Sequence, residues 1–444
     1  MRIRSLIVAG FVLIALAGAL YWSEHRKPGD ETTKASANSA PMILKLDEAA
    51  ITKLALKKKD ADPIVLTRND SGAWKIVQPK PLNADQGSVS AALSTLATLT
   101  AERVVEGKAS DLKQYGLNQP AVEADITTKD DKTRKLLVGD ETPTGGAVYA
   151  MVVGDPRVFT MASDQKSSVE KSLNDLRDKR LLAVDTDKIS HLNLVRKDQT
   201  IEFGRDKNEW QILKPKPLRA DNYQVAELAR KLADARMDLS GSDSDPKEAA
   251  SAFARATPIA TAKVTDLSGT HDLQVRKSKD AYYAKSSAVE GTYKVDADLG
   301  QALAKGLDDF RNKKLFDFGF NDPNKIEMHS GTKAYYLERG RGTGADWWSN
   351  AKKMDAVSVQ SYISSLRDLT ATSFVDSGFV NPTIEVAVTW DEGKHVEKVY
   401  FAKSGNNFIA KRENEPTLYL MDSGAIDTLQ KTADAVKPAA PPNK

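Results

Sequence analysis

Residues Lys75–Asp85 read KIVQPKPLNAD, and Gln211–Asp221 read QILKPKPLRAD. Trp74 and Trp210 precede the two copies in the same register. A second motif recurs as well: DLRDKRLL at Asp175–Leu182 and DFRNKKLF at Asp309–Phe316. Both motifs repeat at roughly 135 residues, a domain-sized period far longer than a solenoid turn. A weaker third copy follows Trp348, where Asp355 answers to Asp85 and Asp221. The fold must therefore be one that a chain can build three times in tandem.

The stretches after these aspartates carry apolar residues three and four apart: Val89, Leu93, Leu96; Val225, Leu228, Leu232; Val359, Ile363, Leu366. That spacing predicts amphipathic helices over 86–99, 222–235 and 356–369. Each aspartate then sits where a carboxylate caps the first free amides. Strands are expected at 51–56, 64–67 and 74–77, and at 189–195, 200–203 and 210–213, with polar turns between them. Further strands follow Pro120, Pro258 and Pro382, at 122–126, 259–264 and 384–389. Second helices are expected to close the modules at 164–180, 298–314 and 423–435. The fold class is α+β: three tandem modules of antiparallel sheet with helices packed on one face, after one N-terminal transmembrane helix. The modules run over 43–182, 183–316 and 317–436.

Ahead of the modules, Ser5–Trp22 is a run of about 18 uncharged residues, long enough at about 1.5 Å per residue to cross a bilayer. Arg2 and Arg4 precede it, which favours a cytoplasmic N-terminus. Leu6, Phe11 and Leu16 lie within the anchor, and Tyr21 and Trp22 sit at its interfacial end. The alternative is a signal peptide cleaved after Ala19, at Ala17-Gly18-Ala19. Either reading exports the remaining chain. The anchor is assigned to 1–27, a flexible linker to 28–42, and a disordered Pro/Ala tail to 437–444. The expected location is the inner membrane, single-pass, with the bulk periplasmic.

Composition narrows the chemistry. The 444 residues hold 64 Lys and Arg against 61 Asp and Glu, a net charge of +3, which gives no basic excess for nucleic acid. With no cysteine, thiolate zinc sites, iron–sulfur clusters and cysteine nucleophiles are excluded. The five histidines show no metal-ligand spacing, and no Gly-x-Ser-x-Gly elbow is present. No cofactor and no catalytic residue is assigned. GRGTG at 340–344 and GDETPTGG at 139–146 read as loops between strands, since neither carries a P-loop ending.

The candidate interaction residues are Trp74, Trp210 and Trp348, as core anchors or sugar-stacking platforms, and Arg177, Arg180, Arg311 and Lys314. These basic residues are read as helix-end charges that could also meet anionic headgroups or an acidic polymer. The Pro-Lys-Pro-Leu elements read as stiff connections into the helices.

Trp74-x-Ile76-x-x-Pro79, Asp85, Tyr115-Gly116-Leu117-x-x-Pro120 and Leu176–Leu182, behind a short anchor, together resemble the bacterial domain of unknown function family 4340. The resemblance covers most of 43–316 and is loose beyond. It implies an accessory envelope protein associated with gliding-type ABC export systems, and supplies no catalytic residues. The expected partners are the lipid bilayer and an envelope protein such as a transporter subunit, with no nucleic acid and no small-molecule cofactor. The expected function is a non-enzymatic accessory or interaction subunit. The alternatives are an envelope polymer or glycan binder, and a hydrolase with scattered residues.

Overall fold

The computed structural model describes residues 40–240, 246–340 and 346–441. The expected anchor, with Leu6, Phe11, Leu16, Tyr21 and Trp22, lies outside the described residues. Among the described residues no helix is long and apolar enough to cross a membrane. By internal contacts the chain falls into two compact units, 1–179 and 180–444.

The first unit holds one antiparallel sheet. Its strands are β1 (Ile51–Lys58), β2 (Ile64–Arg68), β3 (Trp74–Gln78), β4 (Leu82–Asn83), β5 (Arg103–Glu106), β6 (Val122–Thr128), β7 (Thr133–Glu141), β8 (Ala147–Val152) and β9 (Val158–Ala162). They lie in the order β4-β3-β2-β1-β6-β7-β8-β9-β5. Helix α1 (Gln86–Ala97) crosses one face and buries Val89, Leu93 and Leu96 against Leu54, Leu66, Ile126 and Leu136. Asp85 caps it by accepting from the Ser88 amide. Helices α2 (Ser163–Val169) and α3 (Leu173–Leu176) add Val169 and Leu176 to the same core.

The second unit contains two more such sheets, each with its own core. The first has β10 (His191–Val195), β11 (Thr200–Asp206), β12 (Glu209–Lys214), β13 (Leu218–Arg219), β14 (Thr257–Asp266), β15 (Gly269–Ser278), β16 (Ala281–Ser286) and β17 (Thr292–Val295). Their order is β13-β12-β11-β10-β14-β15-β16-β17. Helices α4 (Asn222–Ala233) and α6 (Ala297–Ala304) line its core, and α5 (Pro246–Arg255) places Ala249 and Phe253 against Tyr283 in a separate cluster.

The last sheet has β18 (Lys325–Ser330), β19 (Lys333–Arg339), β20 (Trp347–Ser349), β21 (Lys352–Lys353), β22 (Ser373–Val375), β23 (Ile384–Trp390), β24 (His395–Ser404), β25 (Asn407–Arg412) and β26 (Leu418–Met421). Its order is β21-β20-β19-β18-β23-β24-β25-β26-β22, the order of the first sheet again. Helices α7 (Ala356–Arg367) and α8 (Ser423–Asp434) pack on it.

Of the expected closing helices, the one at 423–435 forms as Ser423–Asp434, and the other two are shorter than the sequence suggested. Over 164–180 the helix stops at Val169, Ser172 caps a new single turn, and Arg177 is already extended. The capping box of Ser172 and Asp175 favours a restart over continuation. Over 298–314 the helix ends at Ala304, and a 3-10 turn at Leu307–Asp309 follows Gly306.

The repeated arginine-rich motif is therefore not a helix end but a junction of two extended pieces. Its first piece closes a module. The amides of Asp85, Asp221 and Asp355 donate to the carbonyls of Leu176, Phe310 and Lys437. Its second piece opens a module by pairing beyond the first helix. Met42 bridges Thr100, Arg180 bridges Arg236, and Lys314 bridges Thr370.

This geometry corrects four boundaries. Leu181 and Leu182 belong to the second core, and Leu315 and Phe316 to the third. Met42 is already paired rather than part of a free linker. Pro438 bridges Met354, so the residues from 437 to 439 close the third module instead of starting a tail.

The Tyr115-Gly116-Leu117 turn has a packing reason. Gly116 takes φ +66°, and a Cβ on Gly139 would stand 2.1 Å from the Tyr115 carbonyl oxygen. Backbone cannot swing away as a side-chain tip can. Gly139→Ala is expected to cost the first unit about 1–3 kcal/mol, read from its urea midpoint.

Candidate functional site

Strand alternation decides what the tryptophans can do. Trp74, Trp210 and Trp347 occupy one repeated position, opposite Arg68, Arg205 and Arg339. All three rings are buried. Trp74 and Trp210 are thereby removed as sugar platforms. Their backbone amides donate to side chains at the start of the following helix, Gln86 at 2.8 Å and Asn222 at 2.5 Å. Trp348 points to the other face and is 42% exposed.

The facing arginines were not singled out from the sequence, yet each pins the turn before its first strand. Arg68 donates to the Ala49 carbonyl, Arg205 to those of Thr186 and Asp187, and Arg339 pairs with Asp322.

The basic candidates separate in the same way. Arg177 is buried in its closing segment, whereas Arg180 and Lys314 are exposed. Arg311 lies over the Phe374 ring, 3.4 Å from its centroid, and pairs with Asp308 at 3.0 Å. None of the four stands in the last turn of an α-helix, so the helix-dipole reading falls.

The densest polar constellation lies elsewhere in the second unit. Arg219, on the two-residue strand β13, donates to Asp317 at 2.5 Å, Glu415 at 3.3 Å, the Tyr419 hydroxyl at 3.2 Å and the Lys314 carbonyl at 3.0 Å. Arg412, at the end of β25, donates to Glu397 at 2.6 Å and the Leu315 carbonyl at 2.8 Å, and pairs with Glu415 at 2.9 Å. The Tyr419 hydroxyl donates to Glu415 at 2.8 Å. Two guanidiniums thus face three carboxylates.

The cluster borders a cleft of ≈ 630 Å³ shared with Asn222, Asn312, Asn414 and Pro217. The charges are spent on one another, an arrangement suited to fixing two modules rather than to proton transfer. Asn83 and Ser286 stand at the repeated positions of Arg219 and Arg412, so the charged pair is not part of the repeat. Ser286 keeps one part of the role, donating to the Leu181 carbonyl at 2.6 Å as Arg412 does to that of Leu315.

Burial pushes the Glu397 carboxyl above its ordinary 4.5, and the Arg412 guanidinium pulls it back only in part. Burial likewise raises the Tyr419 phenol, aided by Glu415 and opposed by Arg219. For Glu397 the folded chain holds the proton more tightly than the unfolded chain. Its contribution to stability is full below the unfolded pKa and is lost as pH rises through the folded one. Urea midpoints of parent and Glu397→Gln, compared from about pH 4 to about pH 7, are expected to differ by a component with that sign. The parent should gain on Glu397→Gln as the pH falls; a parent that loses ground to the variant on acidification would contradict the assignment.

Among the described residues, no group of three or more His, Asp or Glu side chains is placed to hold a metal ion. His191, His329 and His395 are exposed on separate strands, and His271 contacts Ser268 at 2.9 Å.

The profile of a family described as domain of unknown function (DUF4340) matches residues 74–217 and again 210–385. The chain belongs to the DUF4340 family. The two DUF4340 matches each begin at a buried tryptophan, Trp74 or Trp210, and run across a junction into the following sheet. The DUF4340 unit is therefore offset from the structural module, which opens at Met42, Arg180 or Lys314. No curated protein matches the chain. Among solved structures, a DNA polymerase sliding clamp from Pseudomonas aeruginosa aligns over 85% of this chain and 93% of its own, at 8% identity and a TM-score of 0.18, too low to bear on the fold.

Proposed function

We propose that this DUF4340 protein is a membrane-tethered, extracytoplasmic, non-enzymatic subunit that serves an envelope assembly of the ABC-transport type through its module surfaces. The observation that carries the reading is how the repeats use their conspicuous residues. The repeated tryptophans fill cores, the arginines facing them pin turns, and Arg219 and Arg412 are enclosed by carboxylates. The surfaces of the modules are then what remains to offer a partner. The uncharged run at Leu6–Trp22 supports the tether, and the family resemblance supports the assembly.

Crosslinking in intact cells, followed by mild solubilisation, tests the reading. A transporter subunit recovered in stoichiometric amount is the expected result. Recovery of the protein alone would contradict it.

The exposure of Trp348 favours a second reading, an envelope-glycan contact at that ring. Trp348→Ala is expected to lower retention on isolated cell-wall polymer by about tenfold if that reading holds. Unchanged retention rejects it.

A further inference from the structure

We propose that Arg219 is a latch that joins the second and third modules into one mechanical body, so that the third opens only together with the second. Arg219 belongs to the edge strand of the second sheet, but its side-chain partners lie beyond that sheet's core. They are the Lys314 carbonyl in the opening segment, and Asp317, Glu415 and Tyr419 of the third module. The socket is built before the latch enters. Arg412 holds Glu397 and Glu415 and anchors the opening segment through the Leu315 carbonyl. The Asp317 amide donates to Glu397 at 2.7 Å, which orders the side of the socket that meets the Arg219 fork.

The socket is also shielded. The side chains of Glu397, Arg412 and Glu415 are 11%, 14% and 16% exposed. Withdrawing Arg219 would leave Asp317, Glu397 and Glu415 with Arg412 as their remaining guanidinium. Asp317 is 36% exposed, but for Glu397 and Glu415, from which water is largely excluded, sharing one cation is a costly state. A second contact runs parallel to the latch: Arg311 covers Phe374, whose ring centroid is 5.4 Å from that of Tyr419. The latch residue and its socket thus share Tyr419 with the junction itself. This inference does not depend on the proposed function.

Native-state hydrogen exchange read by mass spectrometry on the full chain tests it. In the parent, peptides from β14–β16 and from β23–β25 are expected to exchange through one shared opening with one denaturant dependence. In Arg219→Ala the third module is expected to open alone, about tenfold faster than the second. Lys231→Ala serves as a control, because its ion pair with Asp298 lies within the second module. There both sets of peptides should accelerate together. Arg219→Lys, which keeps the charge and loses the fork, should fall between parent and alanine. The proposal is overturned if the two modules already open at different rates in the parent. It is equally overturned if Arg219→Ala leaves them sharing one rate.

Discussion

Arg412→Ala is expected to lower the stability of the 180–444 unit by about 3–5 kcal/mol, the range for stripping one partner from an enclosed ion pair. The cause is what stays behind. Glu397 loses its 2.6 Å guanidinium while its side chain remains 11% exposed, and the Leu315 carbonyl loses its donor. Glu415 keeps only Arg219 and the Tyr419 hydroxyl. Denaturant midpoints with an unchanged m-value would report this loss. The double variant Arg412→Met, Glu397→Leu removes both charges together and is expected to recover most of it. If the single variant costs less than about 1 kcal/mol, the cluster behaves like an exposed pair and the enclosed-socket description is wrong.

Gly300→Ala should produce a loss of similar size for a different reason. In the middle of an exposed helix this change usually stabilises by about 1 kcal/mol. In α6 the added Cβ would stand 2.0 Å from Tyr282 Cδ1 and 2.2 Å from Cε1. The Tyr282 ring is buried in the second core, so moving it aside disturbs that packing. Either the ring shifts or the helix lifts off β16, at an expected cost of about 3 kcal/mol, the upper end of overpacking. Tyr282→Leu in the same chain should relieve the clash and restore part of the midpoint. A stabilising Gly300→Ala would show that α6 and β16 are not in this close contact.

The sheets and first helices were legible because two periods coincide in this chain. Local alternation marks the strands, and the long repeat marks where they recur. Asp85, Asp221 and Asp355 all cap helices, as their position before an apolar three-four pattern implied.

What was hidden depended on contacts between distant residues or on a shift of one position. Trp347 and Trp348 are adjacent, and only the register of β20 decides which ring enters the core. Among the described residues helix α5 has no counterpart in the other modules, so the repeat gave no warning of it. The arginine-rich motif looks like a helix end until Ser172 and Gly306 are seen to restart or stop the helix. Arg219 meets Glu415 and Tyr419 from 196 and 200 residues away, a separation that no motif spacing can carry.

The central proposal is that these modules stand outside the cytoplasm on a membrane tether. The absence of cysteine makes a direct measurement available, since one introduced thiol is the only label site. Ser268 lies exposed in the β14–β15 turn and suits the substitution Ser268→Cys. Intact spheroplasts would be treated with a membrane-impermeant maleimide and the membrane fraction examined for label. The proposal predicts full labelling without lysis, with the labelled chain retained in the membrane after a high-salt wash. Labelling that appears only after lysis would contradict it.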